Sequence, residues 1–262
     1  MAVKPPPVPV AAATLVLLRD RADGGPALLL IRRHQASKFA GGDDVFPGGK
    51  VGVDDNPDDA ARWCRGFDVA GAARRLGVTP AEAIAHAVGV IRETFEEVGI
   101  LLAYDADGRA ARVDAPRFAD YRKACDADNR AFWDMVRAER LTLATERLVY
   151  FAHWITPEEN PLRFDTRFFA AEMLAGQEAV ADGREITEVR WLGPDEALAA
   201  AKRGEISLRN PTVKNVQLFG GAPTAADALR RVTGRDITPI RPRVLMENGV
   251  RRILMPGDEG YF

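Results

Sequence analysis

Histidine and cysteine are scarce in this chain of 262 residues, at three and two respectively, so a metal centre built on imidazole or thiolate has almost no ligands to draw on. Cys64 and Cys125 form no metal-binding spacing and read as reduced thiols of a cytoplasmic protein. Neither sign of charge is in excess: 36 Lys and Arg face 38 Asp and Glu, for a formal net charge of −2. Nothing global therefore attracts nucleic acid or an anionic membrane, and any phosphate recognition has to be local. No stretch of about 20 apolar residues is present for a membrane span. The proline-rich start, Met1 to Val10, lacks the apolar core of a signal peptide. With 47% hydrophobic residues the chain has enough apolar material for one elaborated domain or a domain with an extension.

What is present is a regular order of strands and helices. Ala11 to Leu18 is a continuous small-apolar and β-branched run, the pattern of a buried strand, and a Gly-Gly turn leads to a second strand from Ala27 to Arg33. Arg32, Arg33, His34 and Lys38 follow as a basic cluster, placed to meet substrate phosphates or to solvate an edge. Thr79-Pro80-Ala81-Glu82 starts a helix with a capping box and a first-turn proline. Apolar spacing then carries the helix from about 80 to 98, and Gly99 ends it. Residues 115–140 read as one or two helices that cap the domain. Strands are expected over 148–155, 163–173 and 186–192, and a helix opens at Pro194. In the strand from 163, Arg163 and Asp165 share one face. The remainder holds a helical stretch after Asn210-Pro211 and a hairpin about Asn248-Gly249.

Within the long helix, residues 92–100 read Arg-Glu-Thr-Phe-Glu-Glu-Val-Gly-Ile. Steps of three and four residues put Glu93, Glu96 and Glu97 on one face while Phe95 and Val98 turn to the core. Three like charges so close repel by about 0.2–0.5 kcal/mol per pair, and a divalent cation would offset that repulsion. Arg92 has the planar donor fork to neutralise and orient the glutamates. His86, seven residues earlier, falls near the same face and reads as a packing or surface residue. Upstream, Phe46-Pro47-Gly48-Gly49 ends a short apolar segment in two glycines that let backbone approach a ligand closely.

The Gly-Gly loop together with Arg-Glu-x-x-Glu-Glu-x-Gly resembles the Nudix hydrolase signature, with departures. The span from Gly49 to Arg92 is 29 residues longer than in the uninterrupted motif. Asp55 stands where the family has glutamate, and Thr94 where it has an aliphatic residue. The same interruption, with an Arg-Phe-Asp-Thr-x-Phe-Phe segment at Arg163 to Phe169, is similar to a Nudix branch that includes a peroxisomal coenzyme A diphosphatase. The likeness extends over about residues 12–200.

That resemblance implies an α/β (α+β) fold, an αβα sandwich around a mixed sheet, with a domain over 8–204, insertions at about 54–78 and 110–142, and a C-terminal extension over 205–262 packed on it. Aspartates of the first insertion, Asp54, Asp55, Asp58 and Asp59, read as caps or solvated charges. The implied chemistry is hydrolysis of a diphosphate linkage with Mg2+, or Mn2+ in its place. Glu93, Glu96 and Glu97 are the expected metal ligands, joined by the Gly49 carbonyl, and Glu93, Glu96, Glu97 and Arg92 the expected catalytic set. Glu93 is also a candidate base, as is a later loop carboxylate, Glu178 or Glu185. Arg33, His34, Arg163, Asp165 and Glu178 are the candidate substrate contacts. Coenzyme A or an acyl-coenzyme A leads as substrate, with NADH, ADP-ribose and dinucleoside polyphosphates as alternatives, and a nucleotide sensor without catalysis as a reading of another class. The expected partner is a small-molecule diphosphate, neither a membrane nor a nucleic acid; a homodimer is compatible, with no interface assigned.

Overall fold

The computed structural model describes residues 5–37, 39–247 and 250–261. Lys38 and the turn pair Asn248-Gly249 therefore lie outside the described residues. The sheet is built on β1 (Val10–Asp20), which pairs antiparallel with β2 (Pro26–Arg33) and parallel with a later strand. Its unbroken apolar run reflects burial on both faces. Ala13, Leu15 and Leu17 enter one apolar layer, and Val16 and Leu18 enter the other, as the two-residue period of a strand requires.

β3 (Asp44–Val45) pairs with β2, and β4 (Gly48–Lys50) pairs with the first part of β1. The insertion then forms two short 3-10 turns, at Val53–Asp55 and Ala60–Trp63, and helix α1 (Val69–Leu76). The Asp68 side chain caps α1 by accepting from the Gly71 N–H, and Gly77 ends it in left-handed conformation. Helix α2 (Pro80–Val98) begins in the expected capping box of Thr79 and Glu82 and stops at Gly99, whose φ is 72°. It packs along the first face of the sheet, with Val88, Ile91, Phe95 and Val98 fully buried.

After β5 (Ala103–Tyr104) come α3 (Pro116–Ala127) and α4 (Arg130–Ala138), then β6 (Thr142–Leu143), which pairs with β5 in a small sheet of its own. These helices are part of the core and do not form a detached cap. Phe118, Cys125, Phe132, Trp133, Met135 and Val136 are buried in the same layer as α2. The Trp133 indole N–H donates to the Asp54 carbonyl at 2.9 Å, tying the two insertions together.

β7 (Val149–Ile155) and β8 (Phe164–Glu172) pair antiparallel, β8 lies parallel to β1, and β9 (Ile186–Leu192) pairs with β2. The sheet is thus mixed, running β3-β2-β1-β8-β7 with β4 beside β1 and β9 beside β2. Its second face is covered by α5 (Pro194–Lys202), α6 (Asn210–Gln217) and α7 (Ala225–Val232), whose Ala197, Val216, Ala228 and Val232, with Phe219 from the turn after α6, share an apolar layer with Val16, Leu28 and Leu30. Strands β10 (Arg243–Glu247) and β11 (Val250–Leu254) close the chain as an antiparallel pair. Among the described residues no helix is long and apolar enough to cross a membrane.

Candidate active site

The last turn of α2 meets the loop between β3 and β4, and this junction assembles the glutamates. The Gly48 N–H donates to Glu97 Oε2 at 2.8 Å. Gly48 and Gly49, which open β4, are both closely enclosed, for different reasons. Gly48 has φ 149°, and a Cβ there would sit 2.3 Å from the Ala13 carbonyl oxygen; a Cβ on Gly49 would sit 2.4 Å from Glu93 Oε2. The loop backbone therefore lies directly against the Glu93 carboxylate.

Arg92 organises the other side. It is 1% exposed, and its Nε and Nη2 donate to the two oxygens of Asp55 at 2.7 and 3.3 Å. Nη2 also donates to the Lys50 carbonyl at 3.0 Å. Nη1 lies 2.9 Å from both Glu93 Oε1 and Glu96 Oε2. Asp55 is thus a buried partner of Arg92; its Oδ2 also accepts from the Gly52 N–H at 2.9 Å, so the cap expectation holds and the solvated-charge alternative is corrected by the ion pair. Thr94, at the departing aliphatic position, is fully buried and satisfies its hydroxyl by donating to the Val90 carbonyl at 2.7 Å.

The glutamate face is not a solvated charge run. Burial pushes all three carboxyls above the usual carboxylate range: Glu93 against the opposing pull of Arg92, Glu96 to about 7, and Glu97 well above, with the Glu93 charge adding to the effect. These groups also sit at the negative end of the α2 dipole, and the last turn of that helix carries no basic residue. The compensating cation comes from α3, where Arg122 donates from Nε to the Glu96 carbonyl at 2.7 Å. Nothing local in the sequence marks Arg122, since its partner lies 26 positions away.

Arg33 extends from the end of β2 to the same cluster, with Nη1 3.7 Å from Glu97 Oε1 and Nη2 bonded to Glu185. Of the two loop carboxylates considered, Glu185 joins the site through this pair. Glu178 is exposed, and it follows Gln177, which is anchored to the backbone of Leu101 and Ala111. His34 is also exposed, its Nδ1 accepting from the Ala36 N–H at 3.1 Å.

Arg163 and Asp165 belong to a different network. Arg163 donates to the carbonyls of Thr156 and Pro7 at 3.1 and 2.7 Å. Asp165 pairs with His153 and, at 3.2 Å, with Arg167. The register explains their separation from the glutamates: Ala13 pairs with Gly49 on one side and Arg167 on the other, so β1 lies between the loop and β8. His86 packs there too, buried, with Nδ1 2.7 Å from the Glu82 carbonyl and Nε2 3.5 Å from Arg167.

Among the described residues no three His, Cys, Asp or Glu side chains converge as a formed metal cluster. Glu93 and Glu96 lean on Arg92 while Glu97 leans on Gly48 and Arg33, which divides the three expected ligands between two arginines. The donor set nevertheless fits a hard divalent cation. Three carboxylates adjoin a glycine backbone, and Glu96 Oε1 is buried with no hydrogen-bond partner; magnesium prefers oxygen ligands of this kind. The thiols are remote from such chemistry: burial pushes Cys64 and Cys125 up to about 12. A cavity of about 280 Å3 between β7 and α6, lined by Trp154, Asn215 and Ile240, lies on the opposite face of the sheet.

Residues 72–218, more than half of the chain, match the family described as the NUDT19 Nudix domain. The chain belongs to the NUDT19 Nudix family. Its relatives include the human acyl-coenzyme A diphosphatase NUDT19, 26% identical over 275 residues that cover 90% of this chain and 72% of that protein. The Xenopus laevis acyl-coenzyme A diphosphatase NUDT19 is 26% identical over 220 residues, and the match spans 57% of its length. Among solved structures, a NUDIX hydrolase from Alicyclobacillus acidocaldarius superposes with a TM-score of 0.71 at 26% identity, covering 86% of this chain and 97% of that one. The mixed sheet between helical layers is accordingly a Nudix fold.

Proposed function

We propose that this NUDT19-family protein hydrolyses the diphosphate linkage of coenzyme A or an acyl-coenzyme A with Mg2+, or Mn2+ in its place. The observation that carries the chemistry is the burial of Glu93, Glu96 and Glu97 at one helix end, against loop backbone and with Glu96 Oε1 unpartnered. Such a charge arrangement is costly by itself and is offset by a cation. The substrate is supported by the relatives named acyl-coenzyme A diphosphatase.

Glu93, Glu96 and Glu97 would hold the metal together with the Gly49 carbonyl. The ion supplies charge neutralisation at the phosphates and a more acidic water. Arg92 keeps Glu93 and Glu96 in orientation, and the Gly48 N–H does the same for Glu97. Arg33 is placed to exchange its carboxylate partners for a substrate phosphate, a role that suits its donor fork. Glu93 and Glu185 are the candidate bases. Water adds across the P–O–P bridge, so the products are two phosphomonoesters. A cytoplasmic location belongs to this proposal, supported by the two buried free thiols; a homodimer is compatible with it, with no interface assigned.

The direct test is Glu97→Gln. Loss of one metal-holding carboxylate should lower kcat by on the order of a hundredfold or more, equivalent to several kcal/mol of transition-state stabilisation. An unchanged rate would remove Glu97 from the site.

A further inference from the structure

Between the box insertion and α4 lies a cavity of about 500 Å3, a volume typical of small-molecule sites. Val53, Asp54 and Pro57 form one wall, and Ala131, Trp133 and Asp134 the other. Both walls come from segments that the uninterrupted Nudix motif lacks or that follow it as extra helices. The cavity is joined to the glutamate site by a short chain of contacts. Trp133 holds the Asp54 carbonyl, the next residue Asp55 holds Arg92, and Arg92 holds Glu93 and Glu96.

Its lining is selective in charge. The two cations at the rim are already engaged, Arg130 by Asp128 at 2.6 Å and Arg137 by Asp59 at 2.6 Å. Asp54 carries no ion pair among the described residues, and Asp134 only a 4.0 Å approach to Arg137. The cavity thus offers no free cation to a phosphate and presents carboxylates that accept N–H donors. It also offers apolar surface: Val53, at 89%, is the most exposed large hydrophobic side chain among the described residues. An exposed valine beside Pro57 and Ala131 gains by contact with an apolar chain.

The geometry points to this cavity as the binding site for the uncharged, amide-bearing arm of the substrate, the part that extends beyond the diphosphate. The inference rests on the diphosphatase reading above, and for coenzyme A the arm is pantetheine. The phosphates stay at the glutamate and Arg33 end, while the amide N–H groups of the arm meet Asp54 and Asp134 and its methylenes meet Val53. Segments added around an interrupted box would in this way select the substrate without altering the reaction centre.

Val53→Asp tests the site without touching the catalytic machinery, because Val53 makes no core contact to lose. The KM for coenzyme A should rise about fivefold or more at similar kcat, a change of about 1 kcal/mol. Inhibition by adenosine 3′,5′-bisphosphate, which lacks the arm, should be unaffected. In parallel, pantetheine titrated into 15N-labelled wild-type protein should shift the Trp133 indole and Ala131 amide signals, and Val53→Asp should abolish those shifts. Coenzyme A cleavage with an unchanged KM in Val53→Asp, or pantetheine shifts confined to other residues, would overturn the site and leave the diphosphatase reading standing. Pantetheine shifts at Trp133 without cleavage of coenzyme A would support the site and remove the diphosphatase reading; neither shifts nor cleavage would remove both.

Discussion

Arg92 and Asp55 form a two-point ion pair in the protein interior, 37 residues apart in sequence, with Asp55 near the start of the box insertion and Arg92 beyond its end. Asp55 is reached because the 3-10 turn at Val53–Asp55 folds under α2, where Gly89 leaves room for its carboxylate: a Cβ on Gly89 would lie 3.0 Å from Asp55 Oδ2. An interrupted motif therefore regains its internal connection in space.

Removing the Asp55 charge takes the partner from Nε of a buried guanidinium that still faces Glu93 and Glu96. Asp55→Asn should destabilise the fold by about 1–3 kcal/mol, the cost of weakening a buried charge-assisted hydrogen bond, measured by urea unfolding at neutral pH. A loss below about 1 kcal/mol, the range of exposed pairs, would contradict the buried geometry.

The two loop glycines should fail differently. In Gly48→Ala the new methyl meets the Ala13 backbone at positive φ, so the fold is strained and Tm falls. In Gly49→Ala its nearest neighbours are the three atoms of the flexible Glu93 carboxylate, which can swing aside. The expected result is near-normal Tm with sharply reduced turnover. Equal loss of Tm in both variants would refute the proposed contact between Gly49 and Glu93.

A third expectation concerns pH. Burial raises Glu96 to about 7, above its unfolded value, so folding takes up a proton in the window between the two. The stabilisation from that proton is complete below the unfolded value and is lost as pH rises through about 7. The metal-free protein should accordingly lose part of its Tm between about pH 6 and about pH 8, and Mg2+ should restore more of it at the higher pH, where it no longer competes with a proton. Equal Mg2+ stabilisation at both values would contradict the assignment of a titrating ligand. Replacing Glu96 with Gln should flatten the profile.

Much of this architecture was legible because its signals are local. Thr79, Glu82 and Gly99 delimit α2 within a few residues of the helix ends, and the apolar run of β1 states its own burial. The site was legible to the extent that it lies on that helix. Asp55 escaped because its partner is distant in sequence and an aspartate in a polar insertion looks solvated. Arg122 escaped for the same reason, since only the packing of α3 beside the end of α2 gives it a role. Arg163 and Asp165 lie in a network apart from the glutamates, because sharing a strand face does not say which strands stand between that face and α2. Distinguishing Glu185 from Glu178 required the fold of the 175–185 loop, whose Gln177 anchor turns Glu178 to solvent while Arg33 collects Glu185.

The measurement that bears most directly on the account is mass spectrometry of the products formed from coenzyme A, acetyl-coenzyme A, NADH, ADP-ribose and diadenosine polyphosphates with purified protein and Mg2+. Phosphopantetheine, or its acetylated form, together with adenosine 3′,5′-bisphosphate is the predicted outcome. Nucleotide binding with every substrate recovered intact would contradict a hydrolase and leave a Nudix fold used for sensing.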